Sequence, residues 1–229
     1  YHGAKLKRYQ ELIDSALIGE INNFISAAGN AKTAQDLIPA PGTTPALNML
    51  NTRYIIYNPE APPVINPHSL GNAWFVEKPV LVENANEEIM AINSLNPASE
   101  AVIDKKFRDQ VTGTSYPVSD GDTISLISYQ PNELIYKYSA GSDKLIVFSE
   151  IYYPAGWKCY IDGNEKPYMR ANYVLRAMTA PAGDHEIKFT FSPESYITGN
   201  KVSLASSVLL FLLIGGFIAN ELIRKKKTQ

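Results

Sequence analysis

Residues 132–139 read Asn-Glu-Leu-Ile-Tyr-Lys-Tyr-Ser, and their pattern sets the fold class. Leu134, Tyr136 and Tyr138 fall on every second position, and residues 185–192 repeat this alternation with Ile and Phe. Because successive side chains of a strand point to opposite faces of a sheet, the spacing predicts strands with one face in a core. The fold is therefore expected to be mainly β with some α.

Five further strands are predicted after residue 99, at residues 100–107, 123–128, 143–151, 157–162 and 167–177. The links at 119–122, 162–164 and 181–184 contain Asp and Gly, and Asp-Gly supplies the positive φ angles of tight hairpins. Short strands joined by such turns predict an antiparallel β-sandwich, which we place at residues 100–198 as an extracytoplasmic domain.

Residues 1–99 mix helix and strand signals, and we interpret them as a small extracytoplasmic α/β region. Apolar residues recur every three or four positions over 4–28, which predicts an amphipathic helix that stops at Gly29. Asn84, with Glu87 three residues later, resembles a helix start. The other predicted elements are a loop at 38–45, a short helix at 45–50, strands at 53–57 and 73–82 (the second broken at Pro79), and a helix from 84 to about 95.

The run at residues 202–219 contains eighteen residues and no charge. As a helix it covers about 27 Å, close to the roughly 30 Å of a bilayer's hydrocarbon core. We therefore predict a transmembrane helix at 199–223, with membrane lipid as a partner. The alternative is a helix buried in a protein core.

Residues 224–229 form a basic tail directly after this run. Because Lys and Arg accumulate on the cytoplasmic side of membranes, we expect the tail to be cytoplasmic and residues 1–200 to be extracytoplasmic. The chain begins at Tyr1 rather than Met, and residues 1–30 contain no signal peptide. The export signal is therefore expected upstream, in earlier transmembrane helices of the same parent chain.

Two pairs of small residues lie four positions apart in the apolar run: Ser203 with Ser207, and Gly215 with Ala219. Such pairs let another transmembrane helix approach closely, or they face lipid.

Composition excludes several classes of function. Residues 201–229 hold five basic residues and one acid, so the overall charge of −2 conceals a charge of −6 over residues 1–200. Duplex binding needs a basic face, so no nucleic-acid partner is expected. The single Cys159 and three scattered His residues have no ligand spacing, so neither a metal nor another cofactor is expected. No phosphate loop or nucleophile motif occurs, so no catalytic residue is assigned.

The aromatic residues give the one candidate site. The chain has fourteen Tyr and two Trp, many of them after residue 150 and close to Arg and Asn. Rings stack on the C–H faces of sugars, and polar neighbours bind the hydroxyls. The candidate glycan-binding residues are Tyr153, Trp157, Tyr160, Arg170, Asn172 and Tyr173. The alternative is that these rings fill the sandwich core and flank the membrane interface.

Several blocks of sequence resemble bacterial YfhO-like membrane proteins. The longest is Ser-Glu-Ile-Tyr-Tyr-Pro-Ala-Gly-Trp-Lys-Cys-Tyr-Ile-Asp-Gly at 149–163, followed by Arg-Ala-Asn-Tyr-Val-Leu-Arg-Ala at 170–177 and Pro-Ala-Gly-Asp-His at 181–185. Upstream, Leu-Asn-Met-Leu-Asn-Thr-Arg-Tyr at 47–54 and Gly-Asn-Ala-Trp-Phe-Val at 71–76 are similar too.

The resemblance implies the C-terminal part of a polytopic protein of the bacterial cytoplasmic (inner) membrane. It also implies a relationship to GT-C-type glycosyltransferases, which use polyprenyl-phosphate sugars on the outer face to glycosylate cell-envelope polymers. The catalytic acid of such enzymes lies between early transmembrane helices, upstream of Tyr1.

Three hypotheses follow. The first is a non-catalytic extracytoplasmic module that assists sugar transfer to a cell-envelope glycan or lipid. The second is a membrane-anchored β-sandwich that binds carbohydrate or protein without transferase activity. The third, which we rank last, is a free-standing hydrolase built from scattered carboxylates.

Overall fold

The computed structural model describes residues 6–31, 33–39 and 43–227. The α-helices are α1 (Lys7–Leu12), α2 (Ile18–Asn30), α3 (Pro45–Met49), α4 (Ala85–Ile92) and α5 (Glu194–Lys227). The strands are β1 (Tyr54–Ile55), β2 (Val64–Ile65), β3 (Ala73–Val76), β4 (Lys78–Val82), β5 (Glu100–Asp104), β6 (Thr123–Gln130), β7 (Glu133–Ala140), β8 (Lys144–Ile151), β9 (Trp157–Ile161), β10 (Asn164–Lys166), β11 (Met169–Ala171), β12 (Leu175–Ala180) and β13 (Gly183–Phe191). Two 3-10 helices are also present, at Ala34–Leu37 and Lys105–Gln110.

Two antiparallel sheets pack face to face, which confirms the predicted β-sandwich. One sheet has the order β10-β9-β13-β7-β6, and the other has the order β11-β12-β8-β3. Aromatic side chains from both sheets meet between them. The ring of Phe148 on β8 lies 4.9 Å from that of Tyr136 on β7 and 5.1 Å from that of Phe189 on β13, centroid to centroid. Edge-to-face contacts of this kind add to the free energy gained by burying the rings.

The four-stranded sheet is buried on both faces. Its second face, which includes Trp74, Val147 and Ala177, packs against a layer formed by the N-terminal helices and the parallel pair β4–β5. Strand pairing joins the two predicted regions, 1–99 and 100–198, at two places. β3 comes from residues 1–99 and pairs with β8, whereas β5 comes after residue 99 and pairs with β4.

α1 and α2 are parts of one continuous helix from Lys7 to Asn30, and a π-helical turn at Ile13–Leu17 joins them. A π turn contains one residue more than an α-helical turn, so the side chains after it are rotated about the helix axis. Phe24 is therefore buried, whereas Ile21 and Ile25 of the expected apolar stripe are exposed. The beginning of the predicted helix, at residues 4 and 5, lies outside the described residues.

The predicted start of α4 is confirmed. The Asn84 side chain accepts hydrogen bonds from the backbone N–H groups of Asn86 (3.0 Å) and Glu87 (3.1 Å). The Glu87 carboxylate in turn accepts the N–H of Glu83 at 3.0 Å. The helix terminus thus satisfies its own free donors, as a polar cap does.

Three predicted strands are wrong in their extent: the one at 100–107 ends at Asp104, where a 3-10 helix begins, and the other two each divide into two strands. Residues 167–177 form β11 and β12 rather than one strand, because Asn172 and Tyr173 have φ angles of +49° and +71° and the chain reverses there. Residues 73–82 divide at Glu77 rather than at Pro79, and the two halves, β3 and β4, enter different sheets.

α5 follows β13 after two residues and continues for 34 residues. Its segment Glu194–Asn220 is long and apolar enough to cross a membrane, judged by length and composition, and its most apolar stretch is not buried against the rest of the protein. The predicted C-terminal apolar helix is therefore present. Residues 228 and 229 of the predicted tail lie outside the described part of the chain.

Candidate functional site

The two ends of the sandwich differ, and we name them for reference. The α5 end carries the turns at residues 131–132, 152–156 and 172–174, together with the exit of β13 into α5. The far end carries the turns at 119–122, 141–143, 162–163 and 181–182. Hydrogen bonds tie the α5 end together, because the N–H of Tyr152 donates to Val174 O (2.7 Å) and that of Ser192 donates to Gly156 O (2.8 Å).

Tyr153 and Trp157 of the candidate set lie at the α5 end. The Trp157 ring is 5.3 Å from the Phe191 ring, and the Tyr153 ring is 6.5 Å from it, between centroids. Tyr153 is 42% exposed, the largest exposed fraction among the six candidates, whereas Trp157 is half-buried. These two residues are the part of the predicted site that reaches solvent at this end.

A buried cation supports the Trp157 ring. The guanidinium carbon of Arg176 lies 4.1 Å from the centroid of Trp157 and 5.2 Å from that of Phe189. Its Nε donates to Ile151 O at 3.1 Å, while its Nη1 has no hydrogen-bond partner among the described residues. Burial lowers the pKa of Arg176 and raises that of the neighbouring Glu150 carboxyl. The contact between charge and ring faces holds Trp157 in place.

A cleft of about 310 Å³ opens beside Trp157, between residues 154–158 and residues 192–195 at the root of α5. This volume is at the lower limit of the range of small-ligand sites. Trp157, the hydroxyl-bearing Ser192 and Ser195, and the charged Lys158 and Glu194 are among its lining residues. The cleft therefore has the chemistry to hold a short polar ligand such as one sugar unit.

Arg170 and Tyr173 lie inside the protein, in a network of charges centred on Glu88. The Glu88 carboxylate, which is fully buried, accepts hydrogen bonds from Arg170 Nη2 (2.9 Å), Arg8 Nη1 (3.3 Å) and the N–H of Tyr173 (3.1 Å). Arg170 Nη2 also contacts Asp104 at 3.3 Å. The charges of this network compensate one another and connect α1, α4, β5 and β11.

Asn172 is likewise buried and joins the two layers. Its N–H donates to Val102 O at 2.8 Å, and its Oδ1 accepts the N–H of Val102 at 2.9 Å. The hydroxyl of Tyr173 donates to Glu11 at 2.6 Å, and burial is the main cause that raises the pKa of Tyr173 to about 12. The polar groups of Arg170, Asn172 and Tyr173 named above are therefore bonded to the protein itself, whereas the buried Nδ2 of Asn172 has no hydrogen-bond partner among the described residues.

Tyr160 lies on a different face. It pairs with Lys188 of β13 and Glu165 of β10, three positions after Trp157 on the same strand, so the two side chains point to opposite faces of the sheet. The six candidates thus occupy three places: the solvent-facing part of the α5 end (Tyr153 and Trp157), the protein interior (Arg170, Asn172 and Tyr173) and the outer face of the five-stranded sheet (Tyr160).

A larger groove, of about 550 Å³, lies at the far end, and sequence reasoning did not predict it. His185 is central to it: Nδ1 lies 2.5 Å from Asp162 Oδ2, and Nε2 lies 3.1 Å from Ala182 O. Two acceptors on one ring raise the pKa of His185, while the N–H of Glu186 and then His185 lower the pKa of Asp162. The other lining residues are Thr123, Ser125, Ile127, Lys137, Tyr138, Ser139 and Asp184.

Metal and thiol chemistry have no visible support in the part of the chain that the structure describes. No group of three or more His, Cys, Asp and Glu residues there is arranged to hold a metal ion. The Cys159 thiol is buried, and burial raises its pKa to about 12, so it is not a reactive nucleophile.

Comparison with known proteins gives one match. Residues 120–203 match the family model described as bacterial membrane protein YfhO. The matched stretch includes strands β6 to β13 and the first turns of α5, and thus the whole five-stranded sheet. No curated protein and no solved structure matches the chain.

Proposed function

The chain is YfhO-like over residues 120–203, as the sequence resemblance predicted, and from this premise we propose its place in the membrane. It is the extracytoplasmic C-terminal module and last span of a polytopic protein of the bacterial inner membrane. Residues up to about 200 lie outside, and the C-terminus is cytoplasmic. The basic residues 224–227 directly after the uncharged run support this orientation.

The path of the chain supports upstream membrane helices as partners of α5. Residues 6–9 line a cleft with Ile151 and Tyr152, so the first described residues lie at the α5 end. The Ser207 hydroxyl donates to Ser203 O within α5, at 2.9 Å, which leaves a small and internally satisfied face for another helix.

We further propose that the module is non-catalytic and assists sugar transfer from a polyprenyl-phosphate donor to a cell-envelope glycan or lipid. The observation that carries this proposal is the cleft between Trp157 and the root of α5, with exposed Tyr153 beside it. A ligand in this cleft is held next to the outer surface of the membrane, where a membrane-embedded transferase needs its acceptor.

The test is glycan binding by the 229-residue chain in lipid nanodiscs, titrated with glucose, galactose and N-acetylglucosamine oligomers. Tyr153→Ala is expected to weaken binding several-fold, because the stacking of the tyrosine ring on the C–H face of a sugar is lost. Tyr129→Ala is the matched control, since Tyr129 is an exposed tyrosine at the same end but, unlike Tyr153, is not adjacent in sequence to the residues that line the cleft. Equal affinities of wild type and Tyr153→Ala would contradict the assignment.

The far-end groove favours the second candidate, a membrane-anchored carbohydrate- or protein-binding module without transferase activity. The groove is larger than the cleft and is lined by hydroxyl and carboxylate groups. The same titration distinguishes the two. Binding that survives Tyr153→Ala but is lost in Ser139→Trp, which fills the groove, supports the second candidate.

A further inference from the structure

The turns at the two ends of the sandwich have opposite chemistry. Those at the far end contain acids, at positions 120, 122, 143 and 162, and Asp184 lies two residues after the turn at 181–182. The α5-end turns at 131–132, 152–156 and 172–174 contain no acid and are instead rich in Tyr, Pro and Asn. Among these turns, those that contain acids therefore all lie at the end away from α5.

Apolar and aromatic side chains are exposed around the α5 end. Tyr129 is 62% exposed, Tyr196 is 66% exposed and Leu6 is 45% exposed, in addition to Tyr153. Tyr is enriched at membrane–water interfaces, because its ring is apolar and its hydroxyl remains hydrated.

We call these exposed side chains, Leu6, Tyr129, Tyr153 and Tyr196, the aromatic rim. The first residues of α5 place the aromatic rim close to the bilayer. The helix begins at Glu194 and its uncharged run begins at Val202, so residues 194–201 rise by about 12 Å. The headgroup layer is about 5–8 Å thick on each side, from a total bilayer of about 40–45 Å and a core of about 30 Å. The turn at 152–156, which is hydrogen-bonded to Ser192, thus lies within about one helical turn of the headgroups, and a tilt of α5 toward this turn brings it closer.

From this geometry we propose that the α5 end is a membrane-docking surface, with Leu6, Tyr129, Tyr153 and Tyr196 in the lipid headgroup layer. The occupant is lipid because the surface is continuous with the apolar helix that leaves it. The acidic far end points away, which avoids repulsion between its carboxylates and anionic headgroups. The proposal depends on α5 crossing the membrane as proposed above, but not on glycan binding.

Docking is tested by tryptophan quenching in nanodiscs that carry a nitroxide on the lipid headgroup. Trp157 lies at the α5 end, and Trp74 is buried on the other face of the four-stranded sheet, so each single-tryptophan chain reports one place. In Trp74→Phe, the emission of Trp157 is expected to be quenched by labelled lipid. In Trp157→Phe, the emission of Trp74 is expected to be unchanged.

A surface variant then connects the quenching to the rim. Tyr129→Ser, Tyr153→Ser and Tyr196→Ser combined in Trp74→Phe are expected to reduce the quenching of Trp157. Val118→Ser in the same background is the control, because Val118 is an exposed apolar residue beside a far-end turn. Equal quenching of both tryptophans, or an unchanged signal in the triple variant, would overturn docking on lipid, including the case in which the rim binds a protein instead. No glycan is present, so this result is independent of the Tyr153→Ala titration.

Discussion

Glu88 is the residue on which the junction between the helical layer and the sandwich most depends. Its carboxylate is fully buried and lies within hydrogen-bond distance of Arg8 and Arg170, and Arg170 also contacts Asp104. The buried guanidinium of Arg170 and the partly exposed one of Arg8 share this carboxylate, and an uncompensated buried charge is costly.

Glu88→Gln keeps the size of the side chain and removes the charge. We expect it to lower the free energy of unfolding by about 3–5 kcal/mol, the usual cost of breaking a buried ion pair from one side. The control is Glu100→Gln, which removes a more exposed pair with Lys78 and is expected to cost less than about 1 kcal/mol. Chemical unfolding of the chain in detergent measures both, and similar values would show that the network does not stabilise the fold.

Asp122 gives the sandwich a defined sensitivity to acid. Its Oδ2 lies 2.6 Å from the buried Nζ of Lys144, and its carboxylate also accepts the N–H groups of Ser119 and Gly141. The Lys144 hydrogen bond, followed by these backbone bonds, lowers the pKa of Asp122 to about 2. An unfolded Asp titrates near 3.9, so the stabilisation is present above about pH 4 and is lost as the pH falls toward 2.

We therefore expect Asp122→Asn to lower the melting temperature at neutral pH and to reduce its dependence on pH between about 4 and 2. Asp120→Asn, in the same turn, leaves the contact with Lys144 intact and should keep the wild-type profile. Thermal unfolding monitored by circular dichroism across this pH range gives both profiles. If the melting temperature of Asp122→Asn depends on pH as that of wild type does, other carboxylates determine the sensitivity to acid.

At the scale of elements, the β11–β12 turn joins the layers through Asn172. This residue supplies a left-handed backbone conformation, with φ at +49°, and an amide oxygen that bonds the N–H of Val102. Two variants separate these contributions. Asn172→Gly keeps the conformation and loses the hydrogen bond, whereas Asn172→Ala loses both.

We expect Asn172→Gly to cost about 1–3 kcal/mol, because the Val102 N–H is left buried without an acceptor. Asn172→Ala should cost about 1–2 kcal/mol more, since Ala lacks the short polar side chain that lets Asn adopt a left-handed conformation. Urea unfolding of both variants supplies the difference. If the Gly and Ala variants are equally stable, the turn geometry at 172 is not what stabilises this junction.

The elements predicted correctly are those whose signals are local. The alternation at 132–139 is present as β7, and Asn84 caps α4 with its own side chain. The π turn at 13–17 and the split of 167–177 have no such signal, because each depends on how the segment packs against distant residues. Asn and Tyr at 172–173 are compatible with a strand as well as with a turn, and only the contact with Val102 favours the turn.

The candidate site was harder to predict than the fold for the same reason. The period of a strand already separates Trp157 from Tyr160, so their opposite faces follow from the sequence. The pairing of Arg170 with Glu88 does not, because 82 positions separate the two residues and composition alone marks both as surface residues. Aromatic and polar residues adjacent in sequence therefore predicted one site where the structure has three places.

At the scale of the whole molecule, the orientation of the sandwich on the membrane depends on how rigidly α5 is joined to it. Gly156 lies at that junction with a φ angle of +121°, and its carbonyl accepts the N–H of Ser192. A Cβ placed there would lie 2.9 Å from Phe191 Cε2 and 2.9 Å from Pro193 Cβ, closer than real contacts allow. The close approach of loop and helix root therefore requires glycine.

Gly156→Ala is expected to push residues 191–193 away from the loop and break the Ser192 hydrogen bond. The Ser192 amide should then exchange with deuterium faster than in wild type, and lipid-label quenching of Trp157 should weaken as the sandwich moves relative to α5. Gly163→Ala is the matched control, because Gly163 also has a positive φ, +79°, but has no atom within 4 Å of the added Cβ. Unchanged exchange at Ser192 in Gly156→Ala would mean that the loop at 156 does not hold the junction rigid. Contact of the aromatic rim with lipid would then set the orientation of the sandwich on the membrane.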